Sequence, residues 1–478
     1  MCLGGQVLGG GCRIVSLMTP DVDNALRNLS AALRGTEWDG RLWLVGGAVR
    51  DQLLGVATST PDIDLVLEGD APAVAMHLWK VRAASHHPVT YPAFGTAMVH
   101  INGIQIELVT ARAETYRSGS RKPVVTPGTI ASDAARRDFT VNTFLQHIDT
   151  REIVDPLGMA RADLVAGILR TPCDPDITFT DDPLRMLRAC RFAAKLGFVL
   201  DDATRDAIVR HAHRLAPEHG ISAERVRDEL VKTLLAKGAE GGFELMRTTG
   251  LLGYFLPELG ALYGVTQNVW HIYDVWTHTF RVLDALPKDA GIVLRLAALL
   301  HDIAKPQTRS VGADGSVHFY GHEDVGADVA RGILGRLKFD NDTIRDVCSL
   351  VRLHMRYGQV TESWSRTALR RLVRAVGAYQ DDLFVLTLAD AVGSGTPVQI
   401  DLDGLKGRIA DACAGTDVAS AVSPLDGGAL MRLAGGRAAG PWLGAVKRYL
   451  EGLVVDGDLA PDDVVRAEQL ARAFLAGM

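Results

Sequence analysis

Two glycines between an apolar run and a helix-like segment constrain the fold of this chain more than any other feature. The apolar run Leu42–Val45 ends at Gly46 and Gly47, and a helix-like segment follows from Arg50 to Leu54. The pattern predicts a strand, a tight turn and a helix N-terminus. Paired glycines let backbone N–H groups approach a ligand closely, and a helix start adds free N–H groups and a positive dipole end. This combination favours a bound phosphate.

A second apolar strand is predicted at Ile63–Leu67, and Asp62 and Asp64 lie at its start. Residues i and i+2 of a strand face the same side, so the two carboxylates repel each other unless a cation joins them. Beside a phosphate-binding turn the simplest cation is Mg²⁺, which takes oxygen ligands. Two such ions can hold the attacking and leaving oxygens of a phosphoryl displacement. Either motif alone is weak evidence, but their order favours nucleotidyl transfer.

Length and composition are those of an ordinary globular protein with several domains. The chain has 478 residues, of which 47% are hydrophobic and 23% charged, and this length predicts about three domains. No apolar run approaches the ~20 residues of a membrane span, and the scattered cysteines favour reduced thiols. We therefore expect a cytoplasmic protein with no membrane partner. The net charge of −6 counts mildly against a nucleic-acid binder, and no DNA partner is expected.

Helix and strand patterns alternate up to about residue 150, and helical patterns dominate beyond it. Two strands, Ala97–Ile101 and Gln105–Val109, are predicted to form a hairpin around Asn102-Gly103. Residues 1–18 predict a disordered tail, or a gene start placed too early with Met18 as the true beginning. The predicted fold class is α+β. The predicted domains are a head at 19–150, a helical neck at 151–250, a third domain at 251–395 and a helical tail at 396–478.

A carboxylate–arginine pair lies at the start of the first predicted neck helix, Asp182 to Lys195. Asp182 and Arg185 are spaced i, i+3, which places both on one face of a helix. Such a pair can read cytosine or adenine, because the carboxylate accepts from the exocyclic amine while the guanidinium donates to the ring nitrogen. Guanine and uracil present a carbonyl instead of the amine and are rejected. The spacing alone favours a simpler interpretation, an intrahelical ion pair worth about 0.3–0.5 kcal/mol.

Arginines recur at helical spacing in two segments of the chain. For the second segment a basic stripe and a solvated helix face are equally good interpretations. The two sets are Arg185, Arg188 and Arg191, and Arg366, Arg370, Arg371 and Arg374.

Histidines and aspartates recur in order in the C-terminal half of the chain. His301-Asp302 ends an apolar helix-like run, and the other members lie on either side of it. Imidazoles and carboxylates suit divalent transition metals, and a mixed set can hold one or two ions that supply hydroxide for phosphoester hydrolysis. Any one of these histidines alone is more simply a hydrogen-bonding partner. The predicted ligands are His278, His301, Asp302, His322, His354 and Asp390.

Five motifs between Leu44 and Leu230 occur in an order that resembles the bacterial class II tRNA nucleotidyltransferase and poly(A) polymerase family. They are LVGGAVRD with DID, ARRDFTVNTF, DPLGMARADL, DDPLRMLRACRFAAKLGF and ERVRDEL. The resemblance implies a polymerase-β-like nucleotidyltransferase head, an all-α neck, and a body and tail that hold the tRNA 3′ acceptor end. It implies CTP and ATP as substrates and Asp62 and Asp64 as the catalytic Mg²⁺ ligands. The implied nucleotide-binding residues are Gly46, Gly47, Arg50, Arg137, Asp138, Asn142, Asp182, Arg185 and Arg188.

The resemblance also assigns roles within this set. Gly46, Gly47 and Arg50 hold the triphosphate, the second motif handles the ribose and phosphates, and Asp182 with Arg185 selects CTP and then ATP. The family's usual glutamate at the template is Asp181 here, its usual alanine is Thr143, and its usual second glycine is Met159. None of these departures removes a catalytic group.

The segment Ala113–Pro127 matches a flexible family loop whose presence is linked to completion of the final A, and it is not shortened. This favours addition of CCA over addition of CC alone. An A-adding or CC-adding specialist and a poly(A) polymerase remain alternatives.

The C-terminal half resembles the HD phosphohydrolase superfamily over about residues 271–393, through DVWTHT, LLHDIAKP, FYGHE and LADA. The resemblance implies a metal-dependent phosphatase or phosphodiesterase, with terminal or cyclic phosphates on RNA ends as substrates. An alternative of another class is an HD phosphohydrolase whose head only binds nucleotide and RNA. A third is a non-catalytic RNA-binding protein.

Overall fold

A computed structural model describes residues 19–56, 63–115, 124–267, 272–396, 401–435 and 437–477. Asp62, the predicted tail 1–18 and the middle of the predicted loop, 116–123, lie outside the described residues. The chain divides into two units, Met1–Tyr254 and Phe255–Met478. Among the helices of the described part, none is long and apolar enough to cross a bilayer.

Nine strands belong to the head of the first unit. They are β1 (Leu42–Val45), β2 (Ile63–Leu67), β3 (Val89–Tyr91), β4 (Thr96–Ile101), β5 (Ile104–Thr110), β6 (Arg112–Thr115), β7 (Val124–Pro127), β8 (Leu145–His147) and β9 (Ile153–Val154). Seven of them form one sheet in the order β3-β4-β5-β2-β1-β8-β9, and β6 pairs with β7 in a separate hairpin. Only the β2–β5 pair of the large sheet is parallel.

The helices of the first unit lie around the sheet and then continue as the neck. They are α1 (Pro20–Leu33), α2 (Gly47–Leu53), α3 (Ala71–Lys80), α4 (Ile130–Ala135), α5 (Ala160–Ala166), α6 (Pro175–Asp181), α7 (Leu184–Leu196), α8 (Asp202–His211), α9 (Ala223–Leu234) and α10 (Ala239–Thr248). Two short parallel strands, β10 (Ile168–Leu169) and β11 (Val199–Leu200), pair beside α7. The mixed head followed by helices confirms the predicted fold class.

The two faces of the sheet bury different amounts of apolar surface. On one face Leu44, Ile63, Leu65 and Ile106 pack with α1 and α3 in the main core. The other face carries a small cluster that includes Val45 and Val66. Because side chains alternate along a strand, Asp64 lies on this second face. The predicted strands at Leu42–Val45 and Ile63–Leu67 are confirmed residue for residue.

The predicted hairpin around Asn102-Gly103 is also confirmed. Asn102 and Gly103 have φ of 52° and 79°, the left-handed pair that a two-residue hairpin turn requires. The two strands extend one residue beyond the prediction at each outer end, and the second also begins one residue earlier.

The second unit is almost entirely helical. Its helices are α11 (Leu252–Phe255, at the boundary), α12 (Pro257–Gly260), α13 (Val275–Ala285), α14 (Ile292–Leu300), α15 (Lys305–Thr308), α16 (His322–Arg336), α17 (Asn341–Leu353), α18 (Arg366–Val376), α19 (Gln380–Gly393), α20 (Leu402–Cys413), α21 (Gly427–Leu433), α22 (Pro441–Asp456) and α23 (Val464–Ala476). A hairpin of β12 (Ser310–Val311) and β13 (Val317–His318) precedes α16.

The arginines of α18 hold helix ends together and do not form an open stripe. Arg370 is buried and donates to the carbonyls of Val454, Val455 and Ala412, which lie in the last turns of α22 and α20. A cation favours helix C-termini, where the carbonyls are unpaired and the dipole end is negative. Arg371 pairs with Asp456 at the surface. For Arg370 the hypothesis of a basic stripe is therefore wrong, because the carbonyls of α20 and α22 accept from its guanidinium donors.

Replacing Arg370 with methionine is expected to destabilise the second unit by about 3 kcal/mol, because three buried carbonyls lose their donor. The melting temperature and the unfolding enthalpy are measured by scanning calorimetry. The matched control is Arg371→Met, whose side chain is 67% exposed and whose loss is expected to cost less than about 1 kcal/mol. Equal shifts of the melting temperature in the two variants would contradict the assigned role of Arg370.

Candidate active sites

Two carboxylates lie side by side on the head sheet. Asp64 on β2 is in register with Glu107 on β5, and directly paired residues of parallel strands face the same side. Glu107 is exposed and Asp64 is half-buried. Adjacent carboxylates on the face away from the main core are donors that fit a magnesium ion. Glu107 was not among the predicted site residues, although its alternation with Ile106 and Leu108 in the predicted strand places it on the polar face.

The Gly-Gly turn lies between β1 and α2 as predicted, and helix α2 starts at Gly47. Gly46 has a φ of 76°, which disfavours any residue with a side chain. A Cβ atom at Gly46 would lie 3.5 Å from Nη1 of Arg137, and one at Gly47 would lie 3.4 Å from Nη2 of Arg50. Two guanidinium groups therefore lie directly against the turn.

Arg50 is held by protein groups on all sides. It is 1% exposed, donates from Nη1 to Asn142 at 2.5 Å, and donates from Nε to Asp51 at 2.7 Å. Arg137 keeps more exposure and pairs with Asp133 through Nη2 at 3.0 Å. Of the two guanidiniums predicted to bind nucleotide at this turn, Arg137 is therefore the more accessible.

Asp138 joins the head to the neck. One carboxylate oxygen accepts from Asn142 at 2.9 Å and from the Phe139 amide, and the other accepts from Nε of Arg188 at 2.8 Å. Burial raises the pKa of the Asp138 carboxyl, but the Arg188 charge and the hydrogen bonds outweigh it and lower the pKa to about 2. Asp138 is therefore ionised at any physiological pH. The i, i+4 spacing of Asp138 and Asn142 predicts that they share a face of a helix, but the structure has a 3₁₀ turn at Thr140–Asn142, and Asn142 reaches Asp138 from it.

The prediction that Asp182 and Arg185 share a helix face is wrong. Helix α7 starts at Leu184, and Asp182 has extended backbone angles of φ −140° and ψ 98°. The cause is Pro183, since the residue before a proline avoids the helical region. Asp182 accepts from the Leu184 amide and from Arg225 at 2.8 Å, whereas Arg185 donates to the Arg136 carbonyl at 2.6 Å. Neither the intrahelical ion pair nor the shared face is present.

The six predicted ligands in the C-terminal half converge in the structure. Their atoms form two groups, His278, His301 and Asp390, and Asp302, His322 and His354, and in each group the ligand atoms lie within 4.8 Å of one another. Five helical segments supply them, because His301-Asp302 directly follows α14 and His354 directly follows α17. All but Asp390, whose side chain is 26% exposed, are buried.

Asp302 lies between the two groups. Its Oδ2 is 3.2 Å from Nε2 of His301 and 3.4 Å from Nε2 of His278, and its Oδ1 is 3.4 Å from Nε2 of His322. Burial raises the pKa of the Asp302 carboxyl, but His301 and Lys305 outweigh it and hold the pKa well below its usual range. The carboxylate is therefore charged and has one oxygen toward each group.

Backbone carbonyls set the tautomers of three histidines. Nδ1 of His301, His322 and His354 each contacts the carbonyl of the residue three positions earlier, at 2.7–2.8 Å. A carbonyl only accepts, so Nδ1 carries a proton in each ring, and in a neutral ring Nε2 presents a lone pair to the cluster. Burial lowers the pKa of His301, but the charges of Asp302 and Asp390 outweigh it and raise that pKa. Burial and the neighbouring His301 lower the pKa of His354 to about 3, which keeps its ring neutral. Neutral imidazoles and charged carboxylates are a donor set that fits divalent transition metals.

Lys305 is a further charged group that the sequence analysis did not assign to this cluster. Its Nζ lies 2.6 Å from Oδ2 of Asp302 and donates to Gln267 at 2.6 Å. It follows Asp302 by three residues, so helical spacing from the His-Asp pair was the available signal.

Three family models match the chain in succession. The poly A polymerase head domain matches residues 42–170, the probable RNA and SrmB-binding site of polymerase A matches 197–262, and the HD domain matches 270–392.

Named relatives cover most of the length. An A-adding tRNA nucleotidyltransferase from Deinococcus radiodurans is 33% identical over 90% of this chain and 94% of its own length. A CC-adding tRNA nucleotidyltransferase from Thermus thermophilus is 38% identical over 58% of this chain, which spans 63% of that relative. The crystal structure of the Bacillus stearothermophilus CCA-adding enzyme in complex with CTP has a TM-score of 0.69 and 25% identity, over 96% of this chain and all of that one.

Proposed function

Because this chain belongs to the tRNA nucleotidyltransferase family, we propose that it adds C, C and A to tRNA 3′ ends from CTP and ATP. The observation that carries the proposal is the position of Asp64 beside Glu107 on the sheet face away from the main core. Paired carboxylates next to a Gly-Gly turn suit an in-line phosphoryl displacement, in which positioning and charge provide most of the catalysis.

In the proposed reaction the tRNA 3′ hydroxyl oxygen bonds to the α-phosphorus of the incoming nucleotide. The bond from that phosphorus to the bridging oxygen breaks, pyrophosphate leaves with the electron pair, and the hydroxyl proton passes to solvent. Asp64, with Asp62 and Glu107, would hold Mg²⁺, which when bound polarises the hydroxyl and neutralises charge on the phosphates. The Gly46-Gly47 turn and Arg137 bind the triphosphate.

Asp182 and Arg185 select the base in this proposal. Asp182 exchanges its surface contact with Arg225 for the exocyclic amine of cytosine or adenine, and Arg185 donates to the ring nitrogen. We expect Asp182→Ala to reduce discrimination between CTP and UTP by about 10- to 100-fold, the value of one charged hydrogen bond. Single-nucleotide incorporation measures it. Exposed Asp206 provides the control, and Asp206→Ala is expected to keep wild-type discrimination.

The relatives have CC-adding, A-adding and CCA-adding specificities, so the product must be measured. Three purified tRNAs, ending before the CCA, after CC and after CCA, are each incubated with CTP, ATP or both. Extension of the first by CCA, followed by a stop, is the expected result. Activity on the CC-ended tRNA alone indicates an A-adding enzyme, addition of CC alone a CC-adding one, and long A tails a poly(A) polymerase.

We propose phosphoester hydrolysis as a second activity. Its site would be the six-residue cluster of the C-terminal half, called the HD cluster below: His278, His301, Asp302, His322, His354 and Asp390. The observation that favours it is the convergence of four histidines and two aspartates, with Asp302 between the two groups. The six residues would hold one or two divalent transition-metal ions, which when bound lower the pKa of water and supply hydroxide. The proposed substrates are terminal or cyclic phosphates on RNA ends.

A further inference from the structure

Three guanidinium groups lie around one aromatic ring at the junction of head and neck. The ring is that of Phe192 on α7, which is 6% exposed. The guanidinium carbons of Arg191, Arg50 and Arg188 lie 4.1, 5.1 and 5.6 Å from its centroid. Significant cation–π contacts occur about once per 70–80 residues, so three on one ring are more than ordinary core packing provides.

Each of the three cations has its own carboxylate partner. Arg50 pairs with Asp51, Arg188 with Asp138, and Arg191 with Glu229 on α9. The three positive groups around the ring are therefore balanced by three carboxylates. Balanced and hydrogen-bonded charge is the condition under which ionised groups tolerate burial. Removing one charged side chain leaves its partner with an uncompensated charge beside the other two ion pairs. We therefore expect the three ion pairs to depend on one another.

The ion pairs come from segments with different predicted roles. Arg50 and Asp51 lie in α2, directly after the Gly-Gly turn, and Asn142 links Arg50 to Asp138. Phe192 lies on the same helix as Arg185, about two turns further along. A continuous set of contacts thus leads from the phosphate-binding turn to α7, the helix that carries Arg185 and directly follows Asp182 and Pro183.

A second link runs parallel to the ring and lies nearer the surface. Nζ of Lys195 is 3.2 Å from Oδ2 of Asp51, and its side chain is 47% exposed. This link connects α7 to α2 without involving the ring.

We propose that Phe192 is a positioning residue that couples triphosphate binding at the Gly46-Gly47 turn to base selection at the start of α7. The proposal rests on the nucleotidyltransferase function proposed above. The ring keeps the three arginines together. The distance and orientation between the phosphate-binding turn and the base-selecting residues therefore stay fixed. Without the ring, the nucleotide's phosphates and base are recognised by parts that move relative to each other.

The test compares Phe192→Leu with Phe192→Tyr in the full-length protein. Leucine keeps an apolar side chain but removes the π face, whereas tyrosine keeps the face. The readouts are kcat and KM for CTP and for UTP on a tRNA that ends before the CCA. We expect Phe192→Leu to raise the KM for CTP and to reduce discrimination against UTP, each by about 10-fold. Phe192→Tyr is expected to stay within about 2-fold of wild type.

The matched control is Phe243→Leu, which truncates a buried ring of the same neck on α10. It is expected to lower the melting temperature without changing the KM for CTP or discrimination. A second variant, Phe192→Met, also removes the π face but fills more of the space of the ring than leucine does, and it is expected to raise the KM for CTP and to reduce discrimination against UTP by about 10-fold. It keeps the proposal testable even if Phe192→Leu does not fold.

The proposal is overturned if Phe192→Leu loses stability but keeps wild-type KM and discrimination. It is also overturned if Phe192→Leu does not fold and Phe192→Met folds with wild-type KM and discrimination. A wild-type protein that incorporates no nucleotide contradicts the proposed function. It then also contradicts the coupling between triphosphate binding and base selection. An active wild type with an unaffected Phe192→Leu variant contradicts the coupling alone.

Discussion

Replacing Asp64 with alanine is expected to lower nucleotide incorporation by about 1,000-fold or more while leaving tRNA binding within about 2-fold of wild type. Asp64 and Glu107 are paired in register on neighbouring strands, so removing either one would remove a proposed ligand of the cation that would neutralise charge in the transition state. Incorporation is measured by pyrophosphate release, and tRNA binding by filter retention. The double change of Asp62 and Asp64 to alanine is expected to abolish incorporation.

A matched control separates loss of this group from a general loss of acidic charge. Glu152 is exposed in the turn between β8 and β9, and Glu152→Ala is expected to retain full activity. Glu107→Gln is expected to lose activity in the same direction as Asp64→Ala. Incorporation that survives Asp64→Ala with unchanged kcat would sink the assignment of the head as the transferase site.

Changing both His301 and Asp302 to alanine is expected to abolish phosphoester hydrolysis, with a loss of about 1,000-fold or more. Asp302 has an oxygen toward each of the two ligand groups, so its removal affects both at once. Hydrolysis of a small chromogenic phosphodiester with added divalent cations measures the effect. Chelation of the purified wild-type protein should produce the same loss, and added metal should restore activity only in wild type.

Nucleotide incorporation provides the control for the HD variant. It is expected to remain near wild type when His301 and Asp302 are changed, and hydrolysis is expected to remain near wild type in Asp64→Ala. Each activity would then be lost only when residues of its own site are changed. If the HD variant loses both activities while its melting curve is unchanged, the two sites are not independent.

Local patterns in the sequence predicted the positions of the strands and the cluster of histidines and aspartates proposed as metal ligands. The alternation and turn chemistry around β1, β2 and the Asn102-Gly103 hairpin are properties of neighbouring residues, so they can be read without the fold. The order of histidines and aspartates predicted a cluster, and the structure brings all six together. How Asp302 is shared between the two groups depended on packing and was not predictable.

Contacts between distant segments were beyond the sequence patterns. Arg50 contacts Asn142 across 92 positions, and this contact buries a guanidinium that the family resemblance assigns to the triphosphate. The helical spacing of Arg370 with its neighbouring arginines suggested a basic stripe or a solvated helix face, yet Arg370 is buried. Whether an arginine faces solvent or the ends of neighbouring helices depends on helices that come later in the chain.

Pro183 keeps Asp182 outside α7, the helix that carries Arg185. If α7 began one turn earlier, the carboxylate would share a face with Arg185, and each nucleotide would first have to break that bond. The proline ring keeps Asp182 extended, and its partner is the half-exposed Arg225. A solvent-exposed ion pair is weak and exchanges easily. A residue with no polar side chain thus keeps the base-selecting carboxylate free to change partners three times in succession, as the proposed addition of two C residues and one A requires.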